Sequence, residues 1–286
     1  MPAVSVAIRA YRRDWLGGAI ASVVAQTWRD FELVIYDDAG DLEDIVAGFT
    51  DPRIRYVRAA KKFEASGRFA AAIALCRGRY IGVLDDDDRY ESRFLERLVV
   101  VLESDESIGA AVCRVMCDAG GARSLEPPPG PPGLLTDVVR NVLLSRGAMT
   151  PSMMLLRRAA LDDAEAFHAM PDGVAPDAFV NVGLALTGWH HVLVDDVLTV
   201  RGDHSGRIKG SPTGYGYAVA TLEQLRIPDP DLDRLRLREL RRWRIRHRVM
   251  ATIARIPVLG PAAAQTARAI ARWLVRLFSA NPAQLR

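Results

Sequence analysis

Residues 79–90 read RYIGVLDDDDRY, an apolar run closed by four acids. Tyr80 to Leu84 form an apolar run short enough for a buried strand. Asp85, Asp86, Asp87 and Asp88 follow with no spacer. Adjacent carboxylates repel one another, so such a run either stands on a wet surface or surrounds a cation. The flanking segments GRFAAAIALCRG (67–78) and SRFLERLVVVLES (92–104) repeat apolar residues at helical spacing, with Gly78 read as the stop of the first. A strand between two helices, closed by acids, is one unit of an alternating α/β chain.

The same alternation runs back to the start of the sequence. AVSVAI (3–8) reads as a strand and WLGGAIASVVAQT (15–27) as a helix with Asp14 as its N-cap. FELVIY (31–36) is a second strand, ending at Asp37 and Asp38. A helix over about 41–49 and the strand RIRYVR (53–58) follow. Beyond the aspartates, IGAAVCRVM (108–116) reads as a further strand. Repeated units of this length predict a mostly parallel sheet with helices on both faces. Ligands of such sheets sit past the carboxyl ends of the strands. Both acidic clusters would then line one edge, a coincidence that a solvated surface does not require.

The second half carries fewer signals. EPPPGPPG (126–133) excludes helix and central strand and reads as a loop. TPSMMLLRR (150–158) and HHVLV (190–194) read as strands, with His190 and His191 as structural residues. PDAFVNVGLALTGW (176–189) reads as a helix opened by Pro176. RGDHSGRIKGSPTGYG (201–216) reads as a polar, Gly-rich loop. From about 231 the chain becomes Arg-rich and helical. The organisation expected is a donor-binding half over 1–118, an acceptor-binding and catalytic half over 119–216, and a basic C-terminal helical region over 217–286.

Composition limits the alternatives. At 286 residues, 49% hydrophobic and 26% charged, the chain can bury a substantial core and is not a disordered segment. The net charge is +3, and nearly all of the basic residues are Arg. The cysteines, Cys76, Cys113 and Cys117, suit neither a disulfide framework nor a zinc site, since no second Cys/His pair accompanies them. They read as reduced, buried thiols of a cytoplasmic protein. No signal peptide is visible and no apolar run of roughly 18 residues occurs, so no bilayer-spanning helix is expected. Charge alone would allow nucleic-acid binding, but no recognised fold signal accompanies it, and none is expected.

The order VSVAIRAYRR, ASVVAQTWRDFELVIYDDAG and CRGRYIGVLDDDDRY resembles the inverting family-2 glycosyltransferases of GT-A fold, closely over about 3–100 and loosely over 150–210. The family pattern opens with a strand and a P-T-Y-N-like turn. It continues through S-x-x-x-Q-T and D-D-G-S to an L-D-x-D-D segment. The resemblance implies a GT-A-type, Rossmann-like sheet and transfer of a sugar from a UDP- or dTDP-sugar to a hydroxyl of a glycan, lipid-linked glycan or small natural product. It implies a cofactor, Mn²⁺ or Mg²⁺, because carboxylates cannot bind a diphosphate directly but can hold a hard cation that does.

Roles follow from the same resemblance. Asp87 is the metal ligand, Asp86 faces the ribose or shares the metal site, and Asp85 opens the D-x-D triplet. Asp88 is assigned either to the site, to the cap of the following helix or to a pair with Arg89. Asp38 accepts a hydrogen bond from the nucleoside base and Tyr11 packs on that base, unless Tyr11 merely plugs the core. Arg9, Ala10 and Arg12 replace the usual Pro, Thr and Asn, departures that leave open whether the nucleotide is uridine, thymidine or another; Arg9 is carried as a nucleotide contact. Asp177 is the candidate base for the acceptor hydroxyl, with capping of its helix as the plain alternative and Asp172 as the fallback. His204 is assigned to the metal or phosphate and Arg207, with Lys209, to phosphate oxygens. Arg68 reads as a surface cation within reach of the diphosphate.

Three readings of the C-terminal helices remain: a membrane-surface element with Trp243 and Trp273 at the interface, a dimerisation or acceptor-side element, or a solvated face. A sugar-1-phosphate nucleotidyltransferase would need a Gly-rich loop where RAYRRDW stands. The alternative from another class is a non-catalytic nucleotide-sugar-binding or scaffold protein, which the abbreviated motif around Asp177 keeps open.

Overall fold

A computed structural model describes residues 1–11, 13–38, 40–59, 63–146, 149–164, 170–202 and 212–254. The chain divides into two compact units, Met1–His204 and Ser205–Arg286. The first begins with β1 (Val4–Ala10), α1 (Arg13–Val24), β2 (Phe31–Asp37), α2 (Glu43–Ala47), β3 (Ile54–Arg58), α3 (Ala65–Ala74) and β4 (Tyr80–Asp85). It continues with β5 (Asp88–Tyr90), α4 (Phe94–Ser104), β6 (Ile108–Ala119), β7 (Ala122–Leu125), β8 (Gly133–Leu134) and α5 (Val138–Leu143). β9 (Met154–Arg157), α6 (Arg158–Asp163), α7 (Pro176–Leu186) and β10 (His190–Gly202) complete it.

The strands form one sheet in the order β3-β2-β1-β4-β9-β6-β10-β5, with β7 paired to β6 and β8 to β10. β1, β2, β3 and β4 run parallel. β9 lies antiparallel to both β4 and β6, and β10 runs parallel to β6. The carboxyl ends of β1, β2, β4 and β10 therefore emerge on the same edge. Val4, Val6, Ile8, Leu33, Ile35, Ile81 and Leu84 are fully buried, as expected for strands covered on both faces. Leu16, Ile20, Phe69, Ile73, Phe94 and Leu98 bring the helices onto them. Each such side chain contributes about 1.5–3 kcal/mol by leaving water.

Several local expectations need correction. α3 ends at Ala74, so Gly78 is not its stop. Gly78 instead lies so close to β1 that a Cβ there would stand 2.5 Å from the Ser5 backbone nitrogen. The Ser5 hydroxyl oxygen accepts the Gly78 N–H at 2.7 Å. Asp14 lies inside the first turn of α1 rather than at its cap, where its charge still suits the helix dipole. TPSMMLLRR splits into a 3₁₀ turn at Pro151–Met153, the strand β9 and the start of α6. β10 is far longer than HHVLV and takes in Arg201 and Gly202. His191 is buried, as expected, whereas His190 is exposed.

The second unit contains α8 (Pro212–Gln224) and α9 (Pro230–Ala254). They pair antiparallel: Tyr215 packs on Trp243 at 5.6 Å between ring centroids, and the Arg236 guanidinium donates to the Leu222 carbonyl at 2.6 Å. No helix among the described residues is long and apolar enough to cross a membrane.

Candidate active site

Parallel register brings the acids together. Arg9 pairs with Asp85 across β1 and β4, and Ala10 with Asp37 across β1 and β2. Asp37 is fully buried and turns inward: its carboxylate accepts the Gly40 N–H at 2.6 Å, the Leu42 N–H at 3.1 Å and the Tyr56 hydroxyl at 2.6 Å. The Tyr56 phenol is accordingly held well above its usual pKa, first by desolvation and then by that hydrogen bond. Asp37 thus fixes the turn from which Asp38 projects. Asp38 accepts the Phe63 N–H at 3.2 Å and pairs with Arg68 at 3.5 Å. The Arg68 guanidinium also lies over the Tyr11 ring, 5.1 Å from its centroid. Arg68, read from sequence as a surface cation, instead joins Asp38 and half-exposed Tyr11 in one group.

The four aspartates separate into two directions. Asp85, Asp87 and Asp88 each present a carboxylate oxygen within 4.8 Å of the others. Asp86 turns away and accepts the Tyr11 N–H at 2.6 Å, tying the turn after β1 to the turn after β4. Asp88 neither caps the next helix nor stays at the surface. It is 2% exposed in β5 and lies opposite Arg201 of β10, while α4 starts after Arg93. The all-oxygen cluster of three carboxyl groups suits a hard divalent cation in donor type.

The S-x-x-x-Q-T motif proves to be scaffold for this turn. Gln26 is buried; its amide donates to the Glu91 carbonyl at 2.8 Å and its oxygen accepts the Leu95 N–H at 2.9 Å. The Ser22 hydroxyl oxygen accepts the Tyr90 N–H at 3.1 Å, and the Thr27 N–H donates to the Ser92 carbonyl at 2.8 Å. α1 thereby clamps both sides of the segment that follows the aspartates.

Asp177 lies in the first turn of α7, where Ala175 precedes the helix without a side-chain cap. The residue is partly solvent-accessible, yet desolvation is the largest influence on its carboxyl and raises its pKa. The Ala178 amide and the positive charge of Arg9 oppose the rise, and the negative charge of Asp85 adds to it. The acceptor-side candidate is thus within electrostatic reach of the donor edge. A buried network supports its helix: Asn181 donates to the Met149 carbonyl at 3.1 Å and to the Asp177 carbonyl at 2.7 Å, and its oxygen meets His191 Nε2 at 3.0 Å. Asp172 is exposed. His204, Arg207 and Lys209 lie outside the described residues, as does Arg12.

Residues 5–164 match the model of the family described as glycosyl transferase family 2. The chain belongs to glycosyl transferase family 2. Among curated family relatives, an Escherichia coli UDP-Glc:alpha-D-GlcNAc-diphosphoundecaprenol beta-1,3-glucosyltransferase is 29% identical over 109 residues, 37% of this chain and 43% of that protein. The succinoglycan biosynthesis protein ExoO of Rhizobium meliloti is 33% identical over 115 residues, 39% of this chain and 32% of that protein. The matches span less than half the length of these relatives. Among solved structures, S. aureus TarS 1–349 in complex with UDP-GlcNAc superposes with a TM-score of 0.67 over 92% of this chain and 79% of that one, at 14% identity. The fold of this family-2 member is therefore of GT-A type.

Proposed function

We propose that the chain is an inverting, metal-dependent glycosyltransferase that moves a sugar from a UDP- or dTDP-sugar to a hydroxyl acceptor. The reading is carried by one observation: the Asp85/Asp87/Asp88 cluster shares a sheet edge with the Tyr11–Asp38–Arg68 group, and Asp85 lies within the electrostatic reach of Asp177. Tyr11 offers its ring to the nucleoside base and Asp38 accepts the base N–H. Asp86 anchors the Tyr11 turn and borders the ribose. Mn²⁺ or Mg²⁺ on Asp85, Asp87 and Asp88 would offset the charge that develops on the departing diphosphate. Asp177 takes the proton of the acceptor hydroxyl as its oxygen bonds to the anomeric carbon and the bond from that carbon to the diphosphate oxygen breaks. A raised carboxyl pKa suits a base, because a stronger base accepts the proton more readily. Arg9, and by resemblance His204 and Arg207, belong to the phosphate side.

UDP as the nucleotide is supported by the UDP-GlcNAc complex of the TarS neighbour. A lipid-linked acceptor is supported by the diphosphoundecaprenol substrate in the name of the Escherichia coli relative. It is also supported by α9, whose exposed positions Arg234, Leu237, Arg238, Arg241, Arg244, Ile245 and Arg248 recur at helical spacing. A stripe of guanidinium groups with interleaved apolar side chains suits the anionic face of a membrane. The free thiols, with Cys76 and Cys113 buried, fit the reducing cytoplasmic side.

Calorimetry with UDP and Mn²⁺, followed by a donor-hydrolysis and transfer assay, tests the reading. Metal-dependent UDP binding with turnover is the expected result. Binding without turnover would favour a scaffold, and no binding would overturn the site.

A further inference from the structure

We propose that Arg9 is a built-in counter-ion that competes with a divalent cation for Asp85. The proposal rests on the cluster of Asp85, Asp87 and Asp88 being the metal site. Arg9 stands opposite Asp85 in the β1–β4 register, and its Nη2 forms an ion pair with Asp85 Oδ1. The guanidinium side chain is 13% exposed and the carboxylate 35%, so solvent screens this pair less than an open surface pair. Asp85 is also one of the residues whose oxygens converge with those of Asp87 and Asp88. One carboxylate is thus claimed by two kinds of cation.

The claims conflict for chemical reasons. A guanidinium is always protonated and has no lone pair for a metal, so it can only repel an ion held nearby. It also removes one of the anionic charges that would attract that ion. Yet Arg9 does not engage Asp85 as fully as it might. Its Nε is buried with no hydrogen-bond partner, so the side-on, two-pronged pairing through Nε and Nη2 is not made. The positive charge also acts on Asp177, so a guanidinium displaced from Asp85 has a second carboxylate in its field.

Mn²⁺ binding to the full chain without nucleotide, followed by electron paramagnetic resonance, tests the proposal. Arg9→Met is expected to lower the Mn²⁺ Kd by about tenfold, a change typical of one well-placed charge, while Arg9→Lys stays near the parent. Arg9→Gln repeats the charge removal with a polar side chain, and far-ultraviolet circular dichroism checks that each variant folds. An unchanged or raised Kd in both folded neutral variants would overturn the proposal. If the parent binds Mn²⁺ and Asp87→Ala abolishes it, the metal site stands whatever Arg9 does. If neither the parent nor the neutral variants bind Mn²⁺, both readings fall.

Discussion

The Gly202 amide donates a hydrogen bond to the Asp87 carbonyl at 3.2 Å, and a Cβ on Gly202 would stand 2.5 Å from that same oxygen. The end of β10 is therefore pressed against the acidic turn, and only a glycine allows the approach. Gly202→Ala must move one backbone or the other. The expected outcome is a stability loss of about 1–3 kcal/mol in urea denaturation, together with weaker Mn²⁺-dependent UDP binding by calorimetry. A variant that binds as the parent does would show that Asp87 tolerates displacement.

Asp177→Asn should abolish transfer while leaving UDP–Mn²⁺ affinity close to that of the parent. It should also stabilise the fold at neutral pH. The folded carboxyl has a raised pKa, so the native state holds its proton to higher pH than the unfolded chain does. Stability is then lost as pH rises from the ordinary carboxylate range through the raised value. The amide removes that loss, a stability gain at the expense of activity. Thermal melts of both proteins at pH 4 and pH 7.5 would reveal it as a gap that opens at the higher pH.

His191 produces the opposite slope. Its burial pushes the imidazole pKa down to about 4, against an ordinary value near 6.5. The unfolded chain binds the proton first on acidification, so stability falls between about pH 6.5 and 4, by roughly 3 kcal/mol in total. His191→Gln can still donate to Asn181 and should flatten this part of the stability–pH curve. Denaturant midpoints measured across that range would test the difference.

Tyr11→Ala should weaken UDP binding about tenfold, in line with the ~1–3 kcal/mol that a stacked base contributes, and leave Mn²⁺ binding alone. Alanine keeps the backbone N–H that Asp86 accepts, so equal loss of both would mean that the ring holds the shape of this turn and does not act on the base alone.

If α9 contacts membranes, the combined variant Arg238→Glu, Arg241→Glu, Arg248→Glu should lose co-sedimentation with phosphatidylglycerol vesicles at low salt. The loss should shrink toward the parent's own weak binding at high salt. Unchanged sedimentation would remove the membrane from the account, and a shift from dimer to monomer in ultracentrifugation would assign the face to self-association.

The first half of the fold was legible because its strands and helices are complete, locally coded units. VSVAI, FELVI and YIGVL bury both faces, and turn chemistry marks their ends. Two later pieces were harder to read. β5, with Asp88, is a strand only because it pairs with the distal part of β10, with Arg201 and Gly202, which in turn pairs with β6; neither has the length or alternation to announce itself. Arg68 looked like one more surface Arg, since nothing nearby in sequence reveals that Asp38 and Tyr11 lie beside it.

Local sequence alone suffices for the alternating architecture, the family, and the acids at the ends of β2 and β4. Those properties depend on periodicity and short motifs, which act over a few residues. Tertiary structure alone decided which acids share a site. Asp37 turns into the core, Asp86 reaches the Tyr11 amide, and Asp85, Asp87 and Asp88 converge. Side chains adjacent in a turn diverge by the geometry of the backbone, and the register that seats Arg9 opposite Asp85 arises from pairing between segments some 76 residues apart.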